Sequence, residues 1–268
     1  MKKPLVSCPQ DSAPLVISCL KRLERKGIKS LYLDTGSSPV APGAMDTSLA
    51  SAGEAMDKIV APEAVRTTLA PPSEPMKKTE PSLEERLGEI AAVVSKCTAC
   101  PLHAGRTRTV FGSGNPRTRV MFIGEGPGRD EDLQGEPFVG RSGQLLTKIL
   151  QAISLERKDV YITNMVKCRP PQNRDPLEEE VRCCERYLVE QIDLIKPRVI
   201  CALGRIAAQW LLGKKEPLAT LRASENFYRG TRVLVTYHPA ALLRNPELKR
   251  DAWEDFKKLK SLIEDDGR

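Results

Sequence analysis

A chain of 268 residues with 40% hydrophobic content is long enough to bury a full core, while an aromatic fraction of 4% suggests that part of it does not pack tightly. Its 42 Lys and Arg against 35 Asp and Glu leave a net charge of +7, which suits a polyanionic partner such as nucleic acid and equally suits ordinary solubility. No run reaches the roughly 18 to 20 apolar residues needed to span a bilayer, so a soluble, cytoplasmic protein is expected, in which eight cysteines point to thiol or metal chemistry more than to disulfides.

Leu15, Val16, Cys19, Leu20 and Leu23 fall at helical spacing, so residues 1–35 read as a small helical appendage. Residues 36–81 lack aromatics and recur in Pro, Ala, Ser and Thr, the composition of a flexible linker. Order resumes at Ser82 and extends over a domain at 82–268. Ser82-Leu83-Glu84-Glu85 is a capping-box pattern, and Leu83, Leu87, Ile90 and Val94 form one helical stripe. Strands are predicted at 119–123, 160–165, 198–203 and 232–236, and helices at 142–153, 176–195, 204–212 and 246–263. Asp175-Pro176 and Asn245-Pro246 each pair a capping side chain with a first-turn proline and are expected to open two of those helices.

This alternation predicts an α/β fold with a mostly parallel sheet covered on both faces, whose ligand site lies at the carboxyl ends of the strands. Polar clusters follow the strands there: Gly124-Glu125-Gly126-Pro127-Gly128, Thr163-Asn164 and Tyr237-His238-Pro239. The glycine loop is not a nucleotide cradle, because GxxxxGK is absent and Arg129 stands where G-x-G-x-x-G, begun by Gly124 and Gly126, requires its third glycine.

Cys97-Thr98-Ala99-Cys100 follows the first helix, with Cys168 and Cys184 supplied from further along. Two close thiolates plus two distant ones suit a tetrahedral four-sulfur site, zinc or iron–sulfur, with buried structural thiols as the alternative. Cys183 and Cys184 point about 100° apart on a helix, so one of the two is the ligand. Cys201, in the apolar "VICAL", reads as core.

Five runs in order, "CTACPL", "GEGPGRDEDLQGEPFVGRSGQLL", "YITNMVKCRPPQNRDP", "CERYL" and "TYHPAALLRNP", resemble the family 4 uracil-DNA glycosylases, the iron–sulfur type, over residues 82–264. The resemblance implies a three-layer α/β/α fold with a central four-stranded parallel sheet. It also implies a structural [4Fe–4S] cluster on Cys97, Cys100, Cys168 and Cys184, the last chosen over Cys183 because Cys184-Glu185-Arg186-Tyr187-Leu188 fits the family's C-x-x-Y-L context. The implied enzyme is a monomer that flips uracil from DNA and hydrolyses its N-glycosidic bond to open base excision repair, with the N-terminal extension free to meet a repair or replication partner.

The resemblance also distributes roles. Phe138 stacks on the base, Asn164 reads it, and His238 donates to uracil O2 as charge gathers there. Glu125 positions water beside Gly126, which occupies the place of the family 1 aspartate, so base assistance is expected to be weak. Glu131 closes the pocket against the thymine methyl, and Asn173 is a matching polar residue without an assigned step. Leu242 or Leu243 wedges the duplex and Arg244 meets a phosphate, while Lys167, Arg169 and Arg174 form phosphate contacts or a solvated face. A zinc-bearing DNA-binding module without catalysis is the rival from another class. The covalent branch of the superfamily is disfavoured, because no histidine-rich loop follows Cys168.

Overall fold

The computed structural model describes residues 81–264, which fall within one compact unit, Lys78–Arg268. The expected appendage at 1–35 and all but the last residue of the expected linker lie outside the described residues. Helix α1 (Leu83–Ser95) opens on its capping box: Ser82 Oγ accepts the Glu85 N–H at 3.1 Å and Glu85 Oε2 accepts the Ser82 N–H at 2.6 Å. Then follow β1 (Ser113–Gly114), β2 (Val120–Gly124), α2 (Arg129–Gln134), α3 (Arg141–Ala152), β3 (Tyr161–Asn164), α4 (Glu178–Ile195) and β4 (Val199–Leu203). The chain continues through α5 (Arg205–Leu212), α6 (Leu218–Ala223), β5 (Asn226–Tyr228), β6 (Thr231–Thr236), α7 (Pro239–Arg244) and α8 (Leu248–Glu264).

The strands form one sheet in the order β1-β3-β2-β4-β6-β5. The pairs β2/β3, β2/β4 and β4/β6 run parallel, and the edge pairs β1/β3 and β5/β6 antiparallel. The four central strands, β3, β2, β4 and β6, are thus parallel as expected, and a short antiparallel strand at each edge brings the sheet to six strands among the described residues. β2, β3 and β4 are buried along their whole length, as a sheet covered on both faces requires.

Period-2 alternation divides the core. Met121, Ile123, Ile200, Ala202, Val233 and Val235 face the layer of α1, α4, α5 and α6. Val120, Phe122, Ile162, Cys201, Leu203 and Leu234 face α3 and α8, so Cys201 is core as expected. Residues Val181, Cys184, Leu188, Ile192 and Ile195 of α4 recur at helical spacing on its buried face, and the helix stops at Lys196, φ 50°, before Pro197.

Neither proline opens its helix where expected. α4 starts at Glu178, and Glu180 Oε2 accepts the Leu177 N–H at 2.8 Å, while Asp175 turns to Arg205 at 3.2 Å. α8 starts at Leu248, after a turn closed by Leu248 N–H on the Asn245 carbonyl at 3.2 Å. No helix of the described residues is long and apolar enough to cross a membrane.

Candidate active site and thiol cluster

Parallel register brings Gly124 of β2 beside Asn164 of β3, so both strands end together at one rim. Asn164 is 1% exposed, and its Oδ1 is buried without a hydrogen-bond partner. Such an orphan acceptor is costly unless a ligand completes it. A Cβ on Gly124 would stand 2.5 Å from Asn164 Oδ1 and 2.6 Å from Phe138 Cζ, so this rim position admits glycine only.

The Phe138 ring lies 5.5 Å from the His238 ring, tilted by 34°. His238 precedes α7, and its Nδ1 accepts the Ala240 N–H at 3.1 Å. That bond leaves the proton of the neutral ring on Nε2. Burial, with the Arg244 charge adding, pushes the His238 pKa down to about 4, so the ring is a neutral donor at physiological pH. Phe138, Asn164, Gly124 and His238 thus gather at one rim and offer a base slot an aromatic wall, an open acceptor and a neutral N–H.

The carboxylates of the glycine loop differ in environment. Glu125 is half-buried; burial first, then the charge of and a hydrogen bond with Asp175, push its pKa up to about 7 against the pull of Arg205. Gly126 packs against Val166, whose Cγ2 would stand 2.8 Å from an added Cβ. Glu131, the expected gate, is held by backbone and not at the surface. It is buried, with Oε1 accepting the Val139 and Gly140 N–H groups at 2.9 Å each and Oε2 accepting the Gly128 N–H at 3.1 Å.

Asn173 is exposed on the turn Pro171–Asn173, with its Oδ1 taken by Arg169 Nε at 2.8 Å. Arg174 is committed to Glu180 at 2.6 Å. Lys167 is neither a phosphate contact nor part of a solvated face: it is 1% exposed. Its Nζ donates to Thr163 Oγ1 at 2.6 Å, Gln191 Oε1 at 2.6 Å and the Asn164 carbonyl at 2.8 Å, bracing the end of β3. The two leucines after His238 separate clearly. Leu242 is 1% exposed and borders an apolar groove with Leu145, Ile149 and Phe256, whereas Leu243 is 38% exposed beside exposed Arg244.

Cys97, Cys100, Cys168, Cys183 and Cys184 line one cavity. Arg106 Nη1 donates to Cys168 Sγ at 3.2 Å and to the Cys97 carbonyl at 2.6 Å, and the Lys167 N–H donates to Cys184 Sγ at 3.3 Å. Burial pushes the Cys184 thiol up to about 11, against the Lys167 charge. For Cys97, burial is outweighed by hydrogen bonds from Tyr187, Ala99 and Arg186, and its pKa falls. Among the described residues no three His, Cys, Asp or Glu side chains are close enough to hold a single metal ion.

A family model described as the uracil DNA glycosylase superfamily matches residues 111–257. The type-4 uracil-DNA glycosylase of Thermotoga maritima is 48% identical over 188 residues, covering 69% of this chain and 98% of that protein. The chain belongs to the type-4 uracil-DNA glycosylases. Two archaeal type-4 enzymes agree: that of Archaeoglobus fulgidus is 47% identical, covering 66% of this chain and 94% of its own, and that of Saccharolobus solfataricus is 45% identical, covering 67% and 87%. Nothing local in the sequence distinguishes the partly buried Arg106 and Arg157 or the buried Gln191 of this type-4 chain, all bonded within the fold, from surface polar side chains.

Proposed function

We infer that this chain removes uracil from DNA by hydrolysing the N-glycosidic bond and leaves an abasic site. The observation that carries this is the orphan Oδ1 of Asn164, buried beside the Phe138 ring. In the proposed pose a flipped uracil stacks on Phe138, gives its N3–H to Asn164 Oδ1 and accepts the Asn164 amide N–H at O4. Cytosine presents the opposite polarity at both positions and is refused.

His238 Nε2–H then faces uracil O2, where negative charge grows as the bond breaks. A neutral donor already oriented by Ala240 needs no reorganisation at that moment. Glu125, with its pKa near 7, orients the attacking water once ionised. The exposed Leu243 fills the gap in the base stack, and Arg244 beside it meets a phosphate.

We propose further that Cys97, Cys100, Cys168 and Cys184 hold a [4Fe–4S] cluster. These are four of the five thiols that line one cavity, two of them met by N–H donors, which suits a group that takes one sulfur per iron. When bound, the cluster supplies cross-linking of the loop after β3, α4 and the turn after α1, with no part in hydrolysis. Residues 82–268 act as the catalytic unit, as a monomer. An oligonucleotide carrying one uracil, incubated with the protein and treated with alkali, should break at that uracil. An intact strand held in a stable complex would favour the non-catalytic binding module instead.

A further inference from the structure

Phe138 has φ 54°, in the left-handed region that an aromatic L-residue rarely adopts. A side chain that must present a flat wall to a base is therefore mounted on backbone that would relax elsewhere if released. The peptide that follows it is gripped from both ends. Its oxygen, the Phe138 carbonyl, accepts Arg157 Nη1 at 3.0 Å, while Arg157 Nη2 reaches the Pro137 carbonyl at 2.7 Å. Its N–H, that of Val139, donates to Glu131 Oε1 at 2.9 Å.

A cation on the oxygen and a carboxylate on the hydrogen of one peptide fix the plane of that peptide, and with it ψ of Phe138. Gly143 completes the seat, because a Cβ there would overlap the Phe138 carbonyl. Arg157 itself comes from the three-residue turn before β3, so the fork ties the pocket wall to the segment that leads into the sheet. The planar guanidinium matters, since two carbonyls side by side need two donors held in a fixed fork and an ammonium offers only a point charge.

We propose that Arg157 is a positioning residue for uracil recognition, setting the pitch of the Phe138 ring by clamping the carbonyls of Pro137 and Phe138. The proposal rests on the reading of Phe138 as the stacking wall. Arg157 touches neither base nor sugar, and its effect passes wholly through Phe138.

The test is a double-mutant cycle with Arg157→Met, Arg157→Lys and Phe138→Ala, read by single-turnover uracil release and, separately, by affinity for abasic-site duplex. Arg157→Met should slow release on the order of tenfold, Arg157→Lys should recover part of the loss, and affinity for the abasic duplex should stay within about twofold. In the Phe138→Ala background, Arg157→Met should cost nothing further. Full multiplication of the two losses, a wild-type rate for Arg157→Met, or a parallel loss of abasic-duplex binding would each overturn the proposal. Should Arg157→Met not fold, as judged by thermal unfolding, Arg157→Lys carries the same cycle. A wild-type protein that leaves uracil in DNA would instead contradict the glycosylase reading itself.

Discussion

At the scale of single residues, environment and not identity assigns the roles. Glu125 and Glu131 are six positions apart, on the glycine loop and on the helix α2 that follows it, yet one is half-buried with a pKa near 7 and the other is spent on three backbone N–H groups. On the water-orienting role proposed for Glu125 the ionised form is the working one, so excision should climb as pH rises through about 7, and Glu125→Gln should flatten that limb while lowering activity. The linkage runs in the opposite sense. A carboxyl whose folded pKa is raised stabilises the fold fully below its unfolded value of 4.5 and loses that contribution as pH rises through about 7, so Glu125→Gln should melt higher than wild type at pH 8. His238, held neutral down to about pH 4, should add no limb of its own between pH 5 and 8.

Among the elements, α7 separates stability from function within two adjacent leucines. Leu242→Ala should cost about 2–5 kcal/mol in denaturant unfolding, since the side chain is buried against α3 and α8, whereas Leu243→Ala should leave stability within about 0.5 kcal/mol and slow excision from duplex more than from single strands. Equal unfolding midpoints for the two variants would reverse the assignment. The elements also differ in how far the sequence disclosed them. β2 and β4 are continuous apolar runs because both of their faces are covered, and this reads directly, while β3 is equally buried but ends on the polar pair Thr163-Asn164. β1 and β5 span two and three residues at the sheet edges, too short for any period, and α7 hides behind Pro239 as an apparent loop. The burial of Lys167 does not read from the sequence, because charge there signals surface while its burial depends on a partner brought in from Gln191.

For the whole molecule, the proposed base slot and the thiol cavity meet in one segment, residues 164–168, where Asn164 carries the open acceptor and Lys167 and Cys168 line the thiol cavity. Removal of the proposed cluster should therefore loosen the loop after β3. The purified protein should be brown, with about four iron and four sulfide per chain, and Cys168→Ser should lose colour and melt lower. A colourless protein with one zinc per chain would remove the cluster. Four distant stretches, around Gly124, Phe138, Asn164 and His238, make the slot, and their convergence was legible because three of them end parallel strands; the clamp behind Phe138 was not, since Arg157 acts only on backbone carbonyls. The most direct measurement is single-turnover uracil release by wild-type protein and Asn164→Asp on one uracil-bearing oligonucleotide. Release by wild type and a loss on the order of a thousandfold in the variant, with an unchanged circular dichroism spectrum, is the expected result. Equal rates for the two proteins would contradict the assignment of Asn164 as the reader of the base.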